Sequence, residues 1–460
     1  MPDLDPERKE IAEELRRQIA LENELTAPQA RAFVRGLQTG WNVPTIQWGQ
    51  AESRSQYADA RRLLNAASIL QDVDGRGSPE ARLCYRRSGE ILEWLSRAHD
   101  DLSTAVSLEL LAAAAYQLGG SPAMAAALLV QVDEATAGER LYSQFLRADF
   151  DGVIQLVSDF WRANLAIADG AAQQRLIQEE GDDKIGWFVT VELVRILGLV
   201  SDSLRRGEEQ RFDAARRKLA ALEKLTNRTF SDEVSLFLTL LHQVAIGFGE
   251  ASIYVPTRRL SQFNQERAPR LERFARGQFS RGRGILWTSQ RQGLARLLEE
   301  DSFALCTPTG SGKTLVANLA LVKELLLRAE EDGPLALYLV PSRALASEVE
   351  AKLLGELSSD LNVTGLYGGN DWGVTDYWLD ADEPTVLIAT VEKADALMRY
   401  LGPLLLHRLR LLIVDEAHQV VPEDNERTQD DLQSTLLAHY GLKPLSRSFL
   451  RALPILLALL

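Results

Sequence analysis

The chain has little cysteine. Two cysteines, Cys84 and Cys306, occur in 460 residues, far apart and without the spacing of a paired or metal-binding motif. This excludes a disulfide framework and a thiolate metal site, and it fits a reducing compartment. A chain of this length is too long for one ordinary domain, so we expect two or three.

Neither end of the chain carries a long apolar run. The N-terminal stretch "MPDLDPERKEIAEELRRQIA" is charged and has helical spacing, which excludes a signal peptide. The C-terminal run "LPILLALL" is far shorter than the ~20 residues that span a bilayer. These two observations predict a cytoplasmic protein without a membrane partner.

The chain has fewer basic than acidic residues, 51 Lys and Arg against 65 Asp and Glu. The formal net charge is −14, which argues against a protein that coats nucleic acid by bulk electrostatics. One basic strip stands out between Arg258 and Arg283. It carries eight arginines against two glutamates, with Phe263, Phe274 and Phe279 interleaved. Any contact with nucleic acid must come from a local patch of this kind.

Two interpretations of this connector, residues 256–284, stay open. Arginine pairs with phosphate and stacks on bases, so the strip is suited to a nucleic-acid backbone. The same residues are also compatible with a solvated amphipathic helix followed by a Gly-rich linker.

Residues 1–255 have helical periodicity almost throughout. Ile11, Leu15 and Ile19 form one apolar face, and "LGGSP" at 118–122 predicts a turn between two helices. We therefore predict an all-helical N-terminal domain, built as a bundle or as an array of helical hairpins, that binds a protein partner. The pattern does not distinguish the two architectures.

The periodicity changes after the connector. Short apolar runs, "FALCT", "LALYLVP", "TVLIAT" and "RLLIVDEAH", alternate with helical stretches. Continuous apolar runs that alternate with helices indicate a parallel sheet buried on both faces. Residues 285–433 are therefore predicted to form a doubly wound α/β domain, and the whole chain an α plus α/β protein.

A phosphate-binding loop follows the first of these runs, in "CTPTGSGKT". The general pattern asks for a glycine where Thr307 stands, but that position is not needed for the backbone N–H groups that face phosphate. Lys313 would reach the β- and γ-phosphates, and the Thr314 hydroxyl would bind Mg²⁺. We predict an ATP site that contains Thr309, Gly310, Ser311, Gly312, Lys313 and Thr314.

A pair of acids completes this site. Asp415 and Glu416 end the buried run "RLLIVDEAH", which places them at the carboxyl edge of the sheet, where the phosphate loop also opens. Asp415 is predicted to hold Mg²⁺. Glu416 is predicted to orient and deprotonate the attacking water.

"PTGSGKT" followed by "DEAH" resembles the first RecA-like lobe of a superfamily 2 DEAD/DEAH-box (DExH) helicase. That family usually has alanine or another small residue at the position of Thr307. The resemblance implies that Gln290 reads adenine and that His418 links the nucleotide site to a second lobe. It also implies that "VPSRALASEVE" and "TVEKADAL" touch a single strand, through Arg343, Thr390 and Lys393.

The resemblance leads to a functional hypothesis: an ATP-dependent helicase or translocase on single-stranded nucleic acid, DNA favoured over RNA. No second lobe is recognisable after residue 433, and residues 434–460 form an atypical tail. We therefore expect a truncated, frameshifted or split enzyme with low activity of its own. The alternative is a nucleotide-binding module that recruits partners and has little catalysis.

Overall fold

The computed structural model divides into two compact units, Met1–Glu250 and Ala251–Leu460. The predicted boundaries at 255, 284 and 433 stay predictions. The structure describes residues 6–20, 24–98, 102, 104–130, 137–165, 182–229, 232–299, 302–307, 312–328, 333–367 and 382–417.

Every regular element described in the first unit is a helix. The helices are α1 (Pro6–Ala20), α2 (Ala27–Gly40), α3 (Gln50–Asp74), α4 (Pro79–Arg97), α5 (Leu108–Leu118), α6 (Pro122–Leu129), α7 (Ala137–Leu146), α8 (Phe150–Ala163), α9 (Asp182–Arg206), α10 (Glu209–Thr229) and α11 (Asp232–Ala251). The turn predicted at "LGGSP" separates α5 from α6, and Gly120 takes the positive φ of +76° that this turn requires.

Helix α11 is long and apolar enough, by length and composition alone, to cross a membrane. Its side chains nevertheless pack as those of a core helix do. Phe237 meets Tyr142 edge-on at 5.3 Å between ring centroids, and Phe248 meets Phe145 at 5.5 Å. Both phenylalanines are buried, so these aromatic contacts stabilise the helical unit.

The second unit begins with the arginine-rich connector. It forms α12 (Tyr254–Ser261) and α13 (Ala268–Ser280), and α14 (Thr288–Glu299) follows. The sheet and its crossover helices come next, as α15 (Lys313–Leu321), which continues as a π-helix over Val322–Leu327, then β1 (Leu335–Val340), α16 (Arg343–Leu357), β2 (Asn362–Leu366), β3 (Thr385–Thr390), α17 (Val391–Arg408) and β4 (Leu409–Val414).

Several arginines of the connector contact the end of α16. The Arg283 guanidinium pairs with Glu356, whose side chain is only 5% exposed. Arg270 and Arg273 both lie within 3.6 Å of Asp360. The basic strip therefore contacts the end of α16 within the second unit, and its contact with a phosphate backbone stays a prediction.

The four strands are parallel in the order β2-β3-β1-β4. Every residue of β1 and β3 is buried, as expected of strands covered by helices on both faces. Leu337 and Leu339 of β1, Leu387 of β3 and Leu397 of α17 belong to one core cluster. The predicted α plus α/β fold class is confirmed.

One predicted strand is not formed. The "FALCT" segment, residues 303–307, carries no strand pairing. A cavity of about 410 Å³ has Phe303 and Leu305 on its lining together with Leu411 and Ile413 of β4. An extended segment becomes a strand only when a neighbour pairs with its N–H and C=O groups. No described strand pairs with β4 on its side away from β1.

Candidate active site

The end of the phosphate loop has a backbone conformation that only glycine adopts without strain. Gly312 precedes the first turn of α15 and has φ +78°. A Cβ atom added to Gly312 would lie 2.1 Å from Nε2 of Gln290. The dihedral angle therefore favours glycine at this position, and a Cβ atom would also displace the end of the Gln290 side chain.

Gln290 connects two segments of the site. Its Oε1 accepts a hydrogen bond from the backbone N–H of Trp287 at 2.8 Å, and its Nε2 donates to the carbonyl of Gly312 at 3.2 Å. The residue is 9% exposed. In this structure Gln290 supports the phosphate loop, and its predicted contact with adenine stays a prediction.

Three predicted site residues line one cavity. Lys313, Thr314 and Asp415 all contribute to the wall of the space of about 410 Å³ beside β4. The amine of Lys313 lies 3.4 Å from the carbonyl of Thr307 and 3.8 Å from Oε1 of Glu416. The Lys313 ammonium group, which is predicted to bind the phosphates, thus lies between Thr307 of the loop and Glu416 of the acid pair.

The acid pair has a constrained geometry. Oδ1 of Asp415 accepts from the backbone N–H of Glu416 at 3.0 Å, and Oδ2 accepts from the Tyr338 hydroxyl at 3.2 Å. Glu416 has φ +48°, in the left-handed region that non-glycine residues rarely adopt. Strain of this kind persists where surrounding structure imposes it, often at functional sites.

Sequence reasoning did not identify Tyr338 as a site residue. Burial, and then the charge and hydrogen bond of Asp415, raise the pKa of the Tyr338 hydroxyl well above its ordinary value. The hydroxyl therefore stays protonated and donates to the carboxylate. The available signal was a single polar group within the otherwise apolar run "LALYLV".

The oxygen donors of the cavity fit a magnesium ion held largely by its substrate. Among the described residues, no group of three or more His, Cys, Asp and Glu side chains is arranged to hold a metal. Mg²⁺ is typically bound by one or two carboxylates together with substrate phosphates. Asp415 and the hydroxyl of Thr314, which line the same cavity, provide such a donor set.

The comparisons with known proteins identify this region. Residues 287–445 match the sequence model of the DEAD/DEAH box helicases. This region is a DEAD/DEAH box helicase domain. The resemblance predicted from the two motifs is therefore confirmed.

The chain is also similar to individual proteins of known name. The chain is 38% identical over 134 residues to the Hachiman protein HamB of Bacillus cereus, covering 29% of this chain and 12% of HamB. It is 33% identical over 158 residues to the ATP-dependent DNA helicase Hel308 of Pyrococcus horikoshii, covering 34% and 21%. The matched region thus spans about an eighth to a fifth of the relatives' length.

A second cluster lies at the same sheet edge of the helicase domain. Thr390 ends β3 and occupies the N-cap position of α17 without a side-chain capping hydrogen bond, and Arg343 begins α16, three residues after β1. A backbone hydrogen bond of Glu392 itself, the Thr390 hydroxyl and the charge of Arg343 together lower the pKa of the Glu392 carboxyl. Arg343 and Thr390, which were predicted from two separate motifs, thus both lower the pKa of the Glu392 carboxyl. Lys393 is the next residue in the chain.

The cluster of Arg343 and Thr390 and the acid pair Asp415 and Glu416 both follow the carboxyl ends of strands, so they lie at the same edge of the sheet. In the strand order, β1 separates β3 from β4, so the carboxyl ends of β3 and β4 lie about 10 Å apart at ordinary strand spacing.

Four predicted site residues, Thr309, Gly310, Ser311 and His418, lie outside the described residues.

Proposed function

We propose that this chain supplies the ATP-hydrolysing lobe of a helicase or translocase that moves on single-stranded nucleic acid. The cavity that Lys313, Thr314 and Asp415 line together supports this proposal most directly. The helicase domain and the relative that is called an ATP-dependent DNA helicase support ATP as the nucleotide. We place the protein in the cytoplasm.

Each residue of the site has its own role in the proposed hydrolysis of ATP. Gly312 turns the loop so that its backbone faces the phosphates, and Lys313 binds the terminal phosphates. Thr314 and Asp415 would hold Mg²⁺, which neutralises phosphate charge during transfer. Glu416 accepts the proton of a water molecule as that water attacks the terminal phosphorus and the bond to ADP breaks.

Coupling to nucleic acid would use the neighbouring cluster. Arg343, Thr390 and Lys393 offer one guanidinium, one hydroxyl and one amine to a sugar–phosphate backbone, in the manner of contacts that position a strand without reading its bases. We favour DNA because the Hel308 relatives are DNA helicases by name.

Unwinding requires more than this lobe. We propose that a second lobe completes the ATP site with an arginine, a contribution of about 10³–10⁵ in rate for enzymes of this type. The chain on its own is therefore expected to bind Mg·ATP and to hydrolyse it slowly.

Recruitment of a protein partner by the helical unit is the second candidate function. One observation favours it. Val34, Trp41 and Val43 are exposed within a span of ten residues, and the Trp41 side chain is 69% exposed. These three residues are close in the sequence, and exposed apolar residues that form one patch mark interaction surfaces.

ATP turnover with and without nucleic acid separates these functions. The chain is assayed alone, with single-stranded DNA and with single-stranded RNA, beside Lys313→Ala. Stimulation by one polymer that is absent in Lys313→Ala supports a nucleic-acid-coupled motor and identifies its substrate. A flat response with intact ATP binding would reject coupling in this chain and favour the recruitment function.

A further inference from the structure

The strand beside β4 contributes a hydroxyl group to the acid pair. Tyr338 lies in the middle of β1 and is 1% exposed, and it is part of the lining of the cavity that also includes Lys313 and Thr314. Its hydroxyl donates to Oδ2 of Asp415 at 3.2 Å. A buried hydroxyl this close to a carboxylate limits the directions in which that carboxylate can point.

The backbone of Asp415 is fixed by the same strand. Its N–H donates to the carbonyl of Leu339 at 2.8 Å, which continues the pairing of β1 with β4 by one residue. Its second carboxylate oxygen, Oδ1, accepts from the backbone N–H of Glu416 at 3.0 Å. Adjacent residues of β1 therefore hold the peptide and the carboxylate of Asp415, while Glu416 holds the remaining oxygen.

Each carboxylate oxygen can accept more than one hydrogen bond or ligand. The contacts from Tyr338 and Glu416 therefore leave Asp415 able to ligate a cation, and they select the orientation in which it does so. Partners of metal ligands commonly change metal affinity by about 10–100-fold when they are removed. Packing alone would not require the Tyr338 hydroxyl, because phenylalanine fills nearly the same volume.

We propose that Tyr338 is a positioning residue, which orients the Asp415 carboxylate toward Thr314 and thereby sets the affinity of the site for magnesium-bound nucleotide. This rests on the proposed function, because it assumes that Asp415 takes part in binding Mg²⁺ with a nucleotide. Tyr338 itself would touch neither the nucleotide nor the metal.

Calorimetric titration with ADP, in Mg²⁺ and in EDTA, tests this without any turnover. We expect Tyr338→Phe to weaken ADP binding about tenfold in Mg²⁺ and to leave binding in EDTA unchanged. Tyr116→Phe is the matched control. It removes another buried tyrosine hydroxyl that donates to a carboxylate, that of Glu93, in the helical unit. Its binding should equal that of the unsubstituted chain in both buffers.

A double-mutant cycle with Asp415→Asn separates positioning from packing. If Tyr338 acts through Asp415, Tyr338→Phe causes no further loss in the Asp415→Asn background. An equal loss in that background, or an equal loss in EDTA, would overturn the positioning role. If Lys313→Ala binds ADP as tightly as the unsubstituted chain, the proposed function itself fails, and the positioning role fails with it.

Discussion

The side-chain amide of Gln290 donates to the backbone carbonyl of Gly312 over 3.2 Å. This hydrogen bond joins the start of α14 to the end of the phosphate loop. Gly312 also has a positive φ, so a side-chain hydrogen bond and a restricted backbone conformation together fix the residue that ends the loop. A backbone position that is already fixed lowers the cost of ordering when an anion binds.

Gly312→Ala should therefore destabilise the protein and weaken nucleotide binding. An alanine here adopts an unfavourable φ and places its Cβ against Nε2 of Gln290, so we expect a loss of about 1–3 kcal/mol in the free energy of unfolding. Urea denaturation followed by circular dichroism measures this change.

Gly355→Ala is the control for Gly312→Ala. Gly355 lies within α16 and has open space where a Cβ atom would lie, so alanine there should stabilise the protein by about 0.5–1 kcal/mol. Equal effects of the two substitutions would contradict the special role of Gly312.

Modification of Cys306 should report nucleotide binding. Cys306 is exposed and Cys84 is buried, so a maleimide should react first with the thiol next to Thr307, whose carbonyl lies 3.4 Å from the Lys313 amine. We expect ATP to slow this reaction in the unsubstituted chain and to have no effect in Lys313→Ala. Cys306→Ser establishes which thiol is modified, and protection that persists in Lys313→Ala would place the nucleotide elsewhere.

Glu392→Gln should strengthen binding of single-stranded DNA by a few-fold. The lowered pKa means that Glu392 carries a negative charge at neutral pH, and that charge repels a phosphate backbone beside Arg343. The repulsion is present above the pKa of Glu392 and is lost as pH falls through it. Lowering the pH should therefore reduce the difference between the two proteins.

Fluorescence anisotropy with a labelled oligonucleotide measures this difference. Asp395→Asn makes the same change of charge one turn along α17, where the carboxylate pairs with Arg399. An equal gain in affinity from Asp395→Asn would show that net charge, rather than the cluster around Thr390, controls the binding.

Glu356→Ala should destabilise the second unit, which contains the sheet. The Glu356 carboxylate accepts from Arg283, Gln278 and Asn318, and its removal leaves these donors without that acceptor. We expect a loss of about 2–4 kcal/mol in the free energy of unfolding, measured by urea denaturation. Glu348→Ala in the same helix removes an exposed pair with Lys352 and should change stability very little.

The sequence predicted best those features that a single local stretch of residues determines. Runs buried on both faces predicted β1 and β3, and "LGGSP" predicted the turn between α5 and α6. The motif around Lys313 and the acids of "DEAH" predicted the helicase family, because each motif combines a loop with its strand or helix.

Relationships between distant segments were not predictable in the same way. The predicted strand at 303–307 is unpaired, because strand formation depends on a neighbour that no local pattern specifies. The arginines of the connector looked available for phosphate, yet Arg283 pairs with Glu356, seventy-three residues further along the chain.

The sequence by itself determined the fold class, the helicase family and the candidates Lys313, Thr314, Asp415 and Glu416, because these follow from periodicity and short motifs. Only the tertiary structure decided that Tyr338 donates to Asp415, because that contact exists only when β1 and β4 pair. Local sequence patterns determine which secondary structure a segment can form, whereas its tertiary contacts depend on which other segments fold against it.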